Sequence, residues 1–248
     1  MKKGISMLLF TVSIFCVLLL LNGCKKSDNH GDPELPTVTD QEGNAYHYIT
    51  LGTQTWMVEN LKVTKYRNGD SIPFVPDSVT WKSTYAGAYC INQTSGSNGS
   101  SCGYLYNYFA VSDKRNLCPE GWHIPSDTEW NTLSNYLINN GYGFEGGGDD
   151  VGKSLASTTD WDNSKVNGDI GNHQETNNSS RFSAFPAGLR NYSGEYIPIG
   201  IVCFFWTSTE MVPGLYGVLR AMKYDGNNIY KSNTVEGCGL SIRAIKDY

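Results

Sequence analysis

The fold is decided by residues 118–130, whose sequence is CPEGWHIPSDTEW. Pro119 and Pro125 push the residues before them into extended geometry, so the first part of the stretch cannot be helical. A helix follows at once. Ser126 can cap it through its hydroxyl, and Glu129 can bond back to the cap amide, which makes a capping box. The stretch therefore predicts a rigid extended entry into the clearest helix of the chain.

The predicted helix has one apolar face and a defined end. Trp130, Leu133 and Leu137 fall at positions i, i+3 and i+7, which places them on one side of a helix. Acidic Asp127 lies in the first turn, where the helix dipole favours a negative charge. Residues 139–141, Asn-Asn-Gly, are a natural C-terminal cap, so we expect the helix to end before them.

Short strands are predicted on both sides of this helix. Residues 38–49 and 54–58 look like two strands joined by a tight turn. Residues 203–209, CFFWTST, are the most apolar strand and are expected at the centre of a sheet. Residues 215–223 and 229–231 are the predicted arms of a hairpin, because the turn between them holds residues that tolerate positive φ.

Long polar loops connect these elements. Residues 66–85 and 162–180 are rich in turn-forming residues and predict loops, the second of them on the surface. Residues 146–150, Gly-Gly-Gly-Asp-Asp, lack the alternating oxygens and distant carboxylate of a calcium loop. The whole pattern predicts an α+β domain with short, mostly antiparallel sheets, one main helix, one lesser helix near 153–156 and long loops.

Composition excludes one class of partner. The 248 residues are 40% apolar and carry a formal charge of −5. Removal of a leader that contains Lys2 and Lys3 and no acid would lower the charge by two, to −7. An acidic chain without a basic run is a poor binder of nucleic acid.

The N-terminus predicts a membrane-anchored protein. Lys2 and Lys3 precede an apolar stretch that ends in Leu21-Asn22-Gly23-Cys24. A small residue just before a cysteine at this place resembles the bacterial lipobox, rather than a simple secretory leader or a membrane span. We expect a signal peptide over 1–23, lipid on Cys24, a flexible tether over 24–36 and a domain over 37–248. The expected location is the outer membrane or cell surface.

Five cysteines follow Cys24, at positions 90, 102, 118, 203 and 238. An extracytoplasmic address permits disulfides. Cys90 and Cys102 bracket a polar loop, so we predict a bridge between them that ties the loop at its base. The odd number leaves at least one thiol unpaired or paired between chains.

Several motifs resemble one family, the Fibrobacter succinogenes major paralogous domain, which occurs in bacterial surface lipoproteins. The resemblance spans about residues 37 to 248 and implies no activity. The family often has a cysteine just after its closing arginine, where this chain has Ala244, and this leaves the partner of Cys118 open between Cys238 and Cys203. The motifs lie at 40–46, 51–61, 104–108, 118–130, 182–190, 205–210 and 241–243.

Residues 124–130 and, more loosely, 239–243 also resemble the formylglycine-generating, sulfatase-modifying family. That resemblance implies a C-type-lectin-like fold. The modifying enzymes use two closely spaced cysteines near the C-terminus to bind copper, and here Cys238 has no such neighbour. An enzyme of this type, or a glycan-active enzyme with paired carboxylates, remains an alternative.

Catalytic motifs are otherwise missing from the sequence. The four histidines lack metal-ligand spacing, His123 reads as a packed, hydrogen-bonded residue, and neither a nucleophile elbow nor a phosphate loop is present. We therefore predict no catalytic residue, cofactor or metal. The main hypothesis is a non-catalytic module that binds a glycan or an envelope protein, with Tyr192, Trp206 and Glu210 as candidate ligand residues. A purely structural surface protein is the other alternative.

Overall fold

The computed structural model describes residues 34–94 and 102–248, which belong to one compact unit. Four α-helices lie in this part of the chain: α1 (Ser78–Lys82), α2 (Tyr108–Val111), α3 (Asp127–Asn139) and α4 (Gly152–Leu155). Its twelve strands are β1 (Thr37–Thr39), β2 (Ala45–Leu51), β3 (Gln54–Met57), β4 (Tyr89–Cys90), β5 (Leu105–Tyr106), β6 (Trp122–His123), β7 (Leu189–Arg190), β8 (Tyr196–Ile197), β9 (Val202–Val212), β10 (Tyr216–Lys223), β11 (Tyr230–Val235) and β12 (Ile245–Lys246).

The strands form two main sheets and two short ladders, and all pairs are antiparallel. The larger sheet has the order β1-β2-β3-β12-β6, so the last strand of the chain lies between an early strand and the entry to α3. The second has the order β11-β10-β9, and β4-β5 and β7-β8 are the short ladders. The predicted α+β class and the predicted hairpin, β10 with β11, are confirmed.

Helix α3 begins as its sequence predicts. Ser126 Oγ accepts from Glu129 N at 3.3 Å, and Glu129 Oε2 accepts from Ser126 N at 2.7 Å. The first turn also joins the two main sheets. Gln54 of β3 donates to the Glu129 carbonyl at 3.0 Å, while the Asp127 carboxylate pairs with Arg220 of β10 and Lys231 of β11.

The apolar face of α3 packs in the largest core cluster, as predicted. Trp130, Leu133 and Leu137 are buried. The Trp130 ring lies 4.8 Å from Trp56 and 5.5 Å from Phe205, measured between ring centroids. Such aromatic pairs add about 0.5–1.5 kcal/mol each beyond the area that they bury.

Two strand predictions need correction. Residues 38–49 hold two strands, β1 and β2, because the Asp40 carboxylate accepts from the backbone N–H groups of Glu42 and Asn44 and turns the chain. The apolar run at 203–209 belongs to β9, which is an edge strand of its sheet; β10 is central.

Because β9 is an edge strand, a central position in the sheet does not explain its apolar composition. Among the described residues, the outer side of β9 forms isolated bridges to Gly188 and Ser241 rather than a ladder with another strand. The side chains of Cys203, Phe205 and Trp206 are nevertheless buried, so the packing of the strand faces accounts for the apolar run.

Two loop predictions are also incomplete. Residues 66–85 contain helix α1, which Asp77 caps by accepting from Thr80 N and which buries Trp81. The polar loop at 162–180 is not wholly on the surface, because Asn177 is buried and donates to two backbone carbonyls. Satisfied hydrogen bonds let a polar side chain enter the interior.

The predicted bridge between Cys90 and Cys102 is wrong. Cys90 carries a reduced, buried thiol, and burial raises its pKa to about 11. The base of the loop is closed in another way: Cys90 pairs with Leu105 in the β4-β5 ladder, and Asn92 donates to the carbonyls of Ala187 and Ile197.

The signals read in the N-terminal sequence lie outside the described residues. They are the leader over 1–23, the lipidation site at Cys24 and most of the tether. Within residues 34–94 and 102–248, no helix is long and apolar enough to cross a membrane.

Candidate functional site

Tyr192 is exposed at the tip of a turn, as its sequence context predicts. The side chain of Asn191 shapes this turn by accepting from the backbone N–H groups of Ser193 and Glu195. Gly194 is required there, since it has a φ of +92° and a Cβ would lie 2.6 Å from the Cβ of Ser78. The Tyr192 side chain is 59% exposed.

Trp206 is not available to a ligand, which corrects its place among the candidates. Its side chain is fully buried. The indole N–H donates to the Tyr106 carbonyl at 2.8 Å, and the ring makes an edge contact with Tyr108 at 5.0 Å between centroids. Trp206 therefore stabilises the core, where it packs in a cluster with Tyr108 and Leu240.

Glu210 is exposed near the end of β9, opposite Gly217 of β10. The missing side chain at Gly217 leaves room for the ring of Tyr108, one atom of which is 2.5 Å from where a Cβ would be. Burial and then the charges of Glu210 and Glu236 raise the pKa of the Tyr108 hydroxyl. The phenol is therefore neutral. Glu210 and Glu236 both lie close enough to Tyr108 for their charges to raise its pKa.

A tight turn at residues 236–238 links several surface elements. The Glu236 N–H donates to the Leu215 carbonyl at 3.1 Å, and the Glu236 carbonyl accepts from Tyr108 N at 2.8 Å. The Trp81 indole of α1 donates to the carbonyl of residue 237 at 2.9 Å. A Cβ at that position would lie 3.6 Å from the Cβ of Tyr192. Tyr192 and the β9-β10 hairpin are thus both in contact with this turn.

Glu236 is a buried acid that sequence reasoning missed. Its side chain is 5% exposed, and Oε1 has no hydrogen-bond partner among the described residues. Burial and then the charge of Glu210 raise its pKa, against a hydrogen bond from the Gly214 backbone. One acid in a glycine-rich turn gives no sequence signal of burial. The burial of Glu236 is therefore visible only in the packing around it.

Large apolar side chains are exposed around the turn at 236–238. Leu215 and its neighbours belong to the β9-β10 hairpin, and Ser78, next to Val79, packs against Gly194 beside Tyr192. Exposed apolar side chains on neighbouring elements are candidates for an interaction surface. We use the name apolar face for the set Val79, Tyr192, Met211, Val212, Leu215 and Tyr216.

Three further cysteines of the described chain have buried thiols. Burial raises the pKa of Cys118, of Cys203 to about 12 and of Cys238, so these groups are protonated at neutral pH. A protonated thiol is a poor nucleophile and metal ligand. In the part of the chain that the structure describes, no group of three or more His, Cys, Asp or Glu side chains could hold a metal ion.

His123 is a packed, hydrogen-bonded residue, as the sequence predicts. Nδ1 lies 2.6 Å from Asp247 Oδ1, and Nε2 lies 2.8 Å from Glu129 Oε1. Burial lowers its pKa, but the hydrogen bonds and charges of Asp247 and Glu129 outweigh burial and raise it. The histidine thus joins the C-terminal segment to the capping box of α3.

Arg243, the closing residue of one family motif, has a structural role. It is fully buried and donates to Asn60 Oδ1 and to the carbonyls of Met57, Phe182 and Ser183. Burial lowers its pKa to about 10, so it is still charged at neutral pH.

Asn60 and Glu59 also make structural contacts with the backbone. Asn60 Nδ2 donates to the Cys102 carbonyl, and Glu59 accepts from the backbone N–H of His47.

Arg190, which closes a second motif, is also fully buried. Its guanidinium donates to the carbonyls of Val75, Pro76 and Gly194 and lies 4.6 Å from the Trp81 ring centroid. It joins β7 to the segment before α1, and it orders the turn that carries Tyr192. The motif arginines therefore support the candidate surface and do not form part of it.

These features define a class of protein: an α+β domain in which buried arginines donate to the backbone carbonyls of neighbouring segments, and which exposes apolar side chains near the turn at 236–238. The chain belongs to the Fibrobacter succinogenes major domain family, whose profile matches residues 49–246. This confirms the family resemblance read from the motifs. No curated protein and no solved structure matches the chain.

Proposed function

We propose that this chain is a non-catalytic binding module of the bacterial surface, held to the membrane by lipid on Cys24. The observation that carries the binding role is the apolar face, in which Tyr192 and Leu215 are more than half exposed. The buried, protonated thiols and the engaged nitrogens of His123 support a role without catalysis. The lipobox-like sequence supports the anchor.

Of the two ligand classes, the apolar face favours a protein. Val79, Val212 and Leu215 are aliphatic side chains without a hydrogen-bonding group, and the thioether of Met211 is only a weak acceptor for sugar hydroxyls. Only Tyr192 and Tyr216 offer an aromatic ring with a polar tip. A glycan partner would have to use these tyrosines together with the exposed carboxylate of Glu210.

The proposal includes a C-type-lectin-like arrangement for the domain. Its support is the resemblance of residues 124–130 to the sulfatase-modifying family, together with short antiparallel strands, one main helix and long connecting loops. In such an arrangement ligands bind on the irregular loops, which is where Tyr192 lies.

The test measures binding to a glycan array, with and without calcium, and to purified envelope proteins. Tyr192→Ala should weaken binding severalfold, because one aromatic contact contributes about 0.5–1.5 kcal/mol. The thermal midpoint should stay nearly unchanged because the side chain is exposed. Tyr248→Ala is the matched control, since Tyr248 is exposed beyond β12.

Unchanged binding by Tyr192→Ala would remove this surface from the proposal. A purified protein that binds neither ligand class but turns over a substrate would overturn the non-catalytic role itself.

A further inference from the structure

Strand β11, Tyr230–Val235, forms an open edge of the second sheet. Its neighbour in the sheet is β10, with which it pairs without a register shift. Residues 230–233 are exposed, and the strand contains no proline. The free edge of a strand offers unpaired backbone groups to another strand, so natural proteins usually protect it with prolines, bulges, charges or cover.

The edges of the other long strands are protected in these ways. On the outer side of β9, Ser208 N donates to the Pro125 carbonyl at 2.9 Å, and register shifts interrupt the pairing of its C-terminal part with β10. The larger sheet ends in β1 and β6, which have three and two residues, and Arg67 donates to the Trp122 carbonyl of β6 at 2.7 Å. Among the described residues, β11 is therefore the long edge that stays open.

The outward-facing backbone groups of β11 include those of Lys231 and Asn233. Glu236 N donates to the Leu215 carbonyl at 3.1 Å, which continues the register of the ladder. Opposite residues in an antiparallel ladder alternate between hydrogen-bonded and non-hydrogen-bonded pairs. Residues 234, 232 and 230 therefore bond to β10, whereas residues 231 and 233 turn their N–H and C=O groups away from the sheet. No other backbone group in the described part of the chain bonds to these groups.

Contacts next to β11 define the part of the edge that can pair. Cys238 N donates to the Val235 carbonyl at 3.1 Å, so the turn at 236–238 closes the edge beyond Asn233. A lysine side chain often guards an edge strand, but the ammonium of Lys231 is held by Asp127 at 2.8 Å. The open part of the edge is thus short and is centred on Ser232.

We propose that β11 pairs with β11 of a second copy of this chain, antiparallel and about a two-fold axis at Ser232. The edge is self-complementary in this register. Lys231 of each copy exchanges N–H···O bonds with Asn233 of the other copy, because both residues face outward. Lysine then lies opposite an uncharged residue, so no like charges meet directly across the contact. A two-fold contact of this kind closes at two copies and joins their three-stranded sheets into one.

The pairing uses no residue of the apolar face. One strand pair buries little surface, so we expect the contact to be weak between freely diffusing copies. Anchoring of the copies to one membrane, as proposed above, raises their effective concentration. The proposal is therefore tested in cells and not in dilute solution.

The experiment is disulfide cross-linking of the full-length protein in intact expressing cells, with copper phenanthroline as the oxidant. In the proposed register the two Ser232 residues form a non-hydrogen-bonded pair, whose Cα atoms lie about 4.5 Å apart. This distance is within the roughly 4.4–6.8 Å that a disulfide spans. Ser232→Cys should therefore give a covalent dimer on a non-reducing gel. The wild type gives the background from the natural cysteines.

Tyr230→Cys is the matched control, because residue 230 is exposed and lies on the same face of the strand as residue 232. It lies opposite residue 234 of the other copy, so the two copies of residue 230 are about 14 Å apart along the strand direction. The control should not cross-link above the background. If Ser232→Cys gives no more dimer than Tyr230→Cys or the wild type, the proposal is wrong.

Two substitutions of Asn233, each combined with Ser232→Cys, test the register by charge. Asn233→Lys places a lysine opposite Lys231 of the other copy and should lower the yield of dimer severalfold. Asn233→Asp places a carboxylate there and should keep or raise the yield. Both side chains are exposed, so the thermal midpoint should stay nearly unchanged. Equal yields from the two variants would overturn the proposed register. Since no ligand is involved, this result is independent of the proposed binding function.

Discussion

Trp130 offers the sharpest test of how α3 holds the domain together. Its ring is fully buried and lies 4.8 Å from Trp56, 5.8 Å from Phe182 and 5.5 Å from Phe205. Truncation of a buried tryptophan to alanine costs about 3–5 kcal/mol through lost transfer energy and a cavity. Trp130→Ala should therefore remove a large part of the stability of the domain.

Two further variants separate the contributions of the helix cap and of the indole N–H from that of the buried ring. Ser126→Ala removes the side-chain cap of α3 but keeps the backbone N–H bond to Glu129, so we expect a loss of about 1 kcal/mol. Trp130→Phe keeps a ring in place and removes an indole N–H that has no hydrogen-bond partner among the described residues. An unsatisfied buried donor costs about 1–3 kcal/mol, so the phenylalanine variant should lose far less stability than the alanine variant.

The assay is thermal unfolding followed by far-UV circular dichroism, because tryptophan fluorescence itself changes in these variants. For a domain of this size, 1 kcal/mol corresponds to about 2–4 °C in Tm. The expected Tm losses are thus about 6–20 °C for Trp130→Ala and about 2–4 °C for Ser126→Ala. Equal and small losses for these two variants would show that α3 is peripheral to the core.

Two further predictions concern His123, which contacts the C-terminal segment, and Cys24 near the N-terminus. The raised pKa of His123 means that its contribution to stability is fully present below pH 6.5, the ordinary value, and is lost as the pH rises through the elevated pKa. Urea unfolding of His123→Gln between pH 5.5 and 8.5 should show a flatter dependence on pH than the wild type; an identical slope would contradict the ion-pair role. At the N-terminus, Cys24→Ser should leave an unprocessed precursor that takes up no acyl label, whereas normal labelling of the variant would refute lipidation at this residue.

The elements that sequence predicted well are those fixed by neighbouring residues. The capping box of α3 needs only Ser126 and Glu129, three positions apart, and the exposure of Tyr192 follows from its glycine-containing turn. The hairpin of β10 and β11 is likewise encoded by local turn chemistry. In each case the conformation depends on residues within a few positions of one another, so a short stretch of sequence is enough to predict it.

The features that sequence missed depend on residues far apart in the chain. The sequence explains Asp127 by its position in the first turn of α3. Its ion-pair partners, Arg220 and Lys231, are 93 and 104 positions away and could not be predicted. Glu236 is buried only because the β9-β10 hairpin and Tyr108 of α2 pack over its turn. The expected bridge of Cys90 failed for the same reason, since the β4-β5 ladder closes that loop without it.

The buried arginines stabilise the core of the domain and do not belong to the proposed binding surface. The guanidinium of Arg243 is surrounded by carbonyl and amide oxygens and by the faces of Phe182 and Phe205, so its charge is satisfied within the core. Loss of this residue would leave several buried acceptors without a donor, which is costly for folding whatever the ligand. The side chains of Val79 and Leu215 are more than half exposed, and their substitution removes little buried contact. A family motif that contains Arg243 therefore reports the scaffold, and in the proposed binding role specificity would be carried by exposed residues such as Val79 and Leu215.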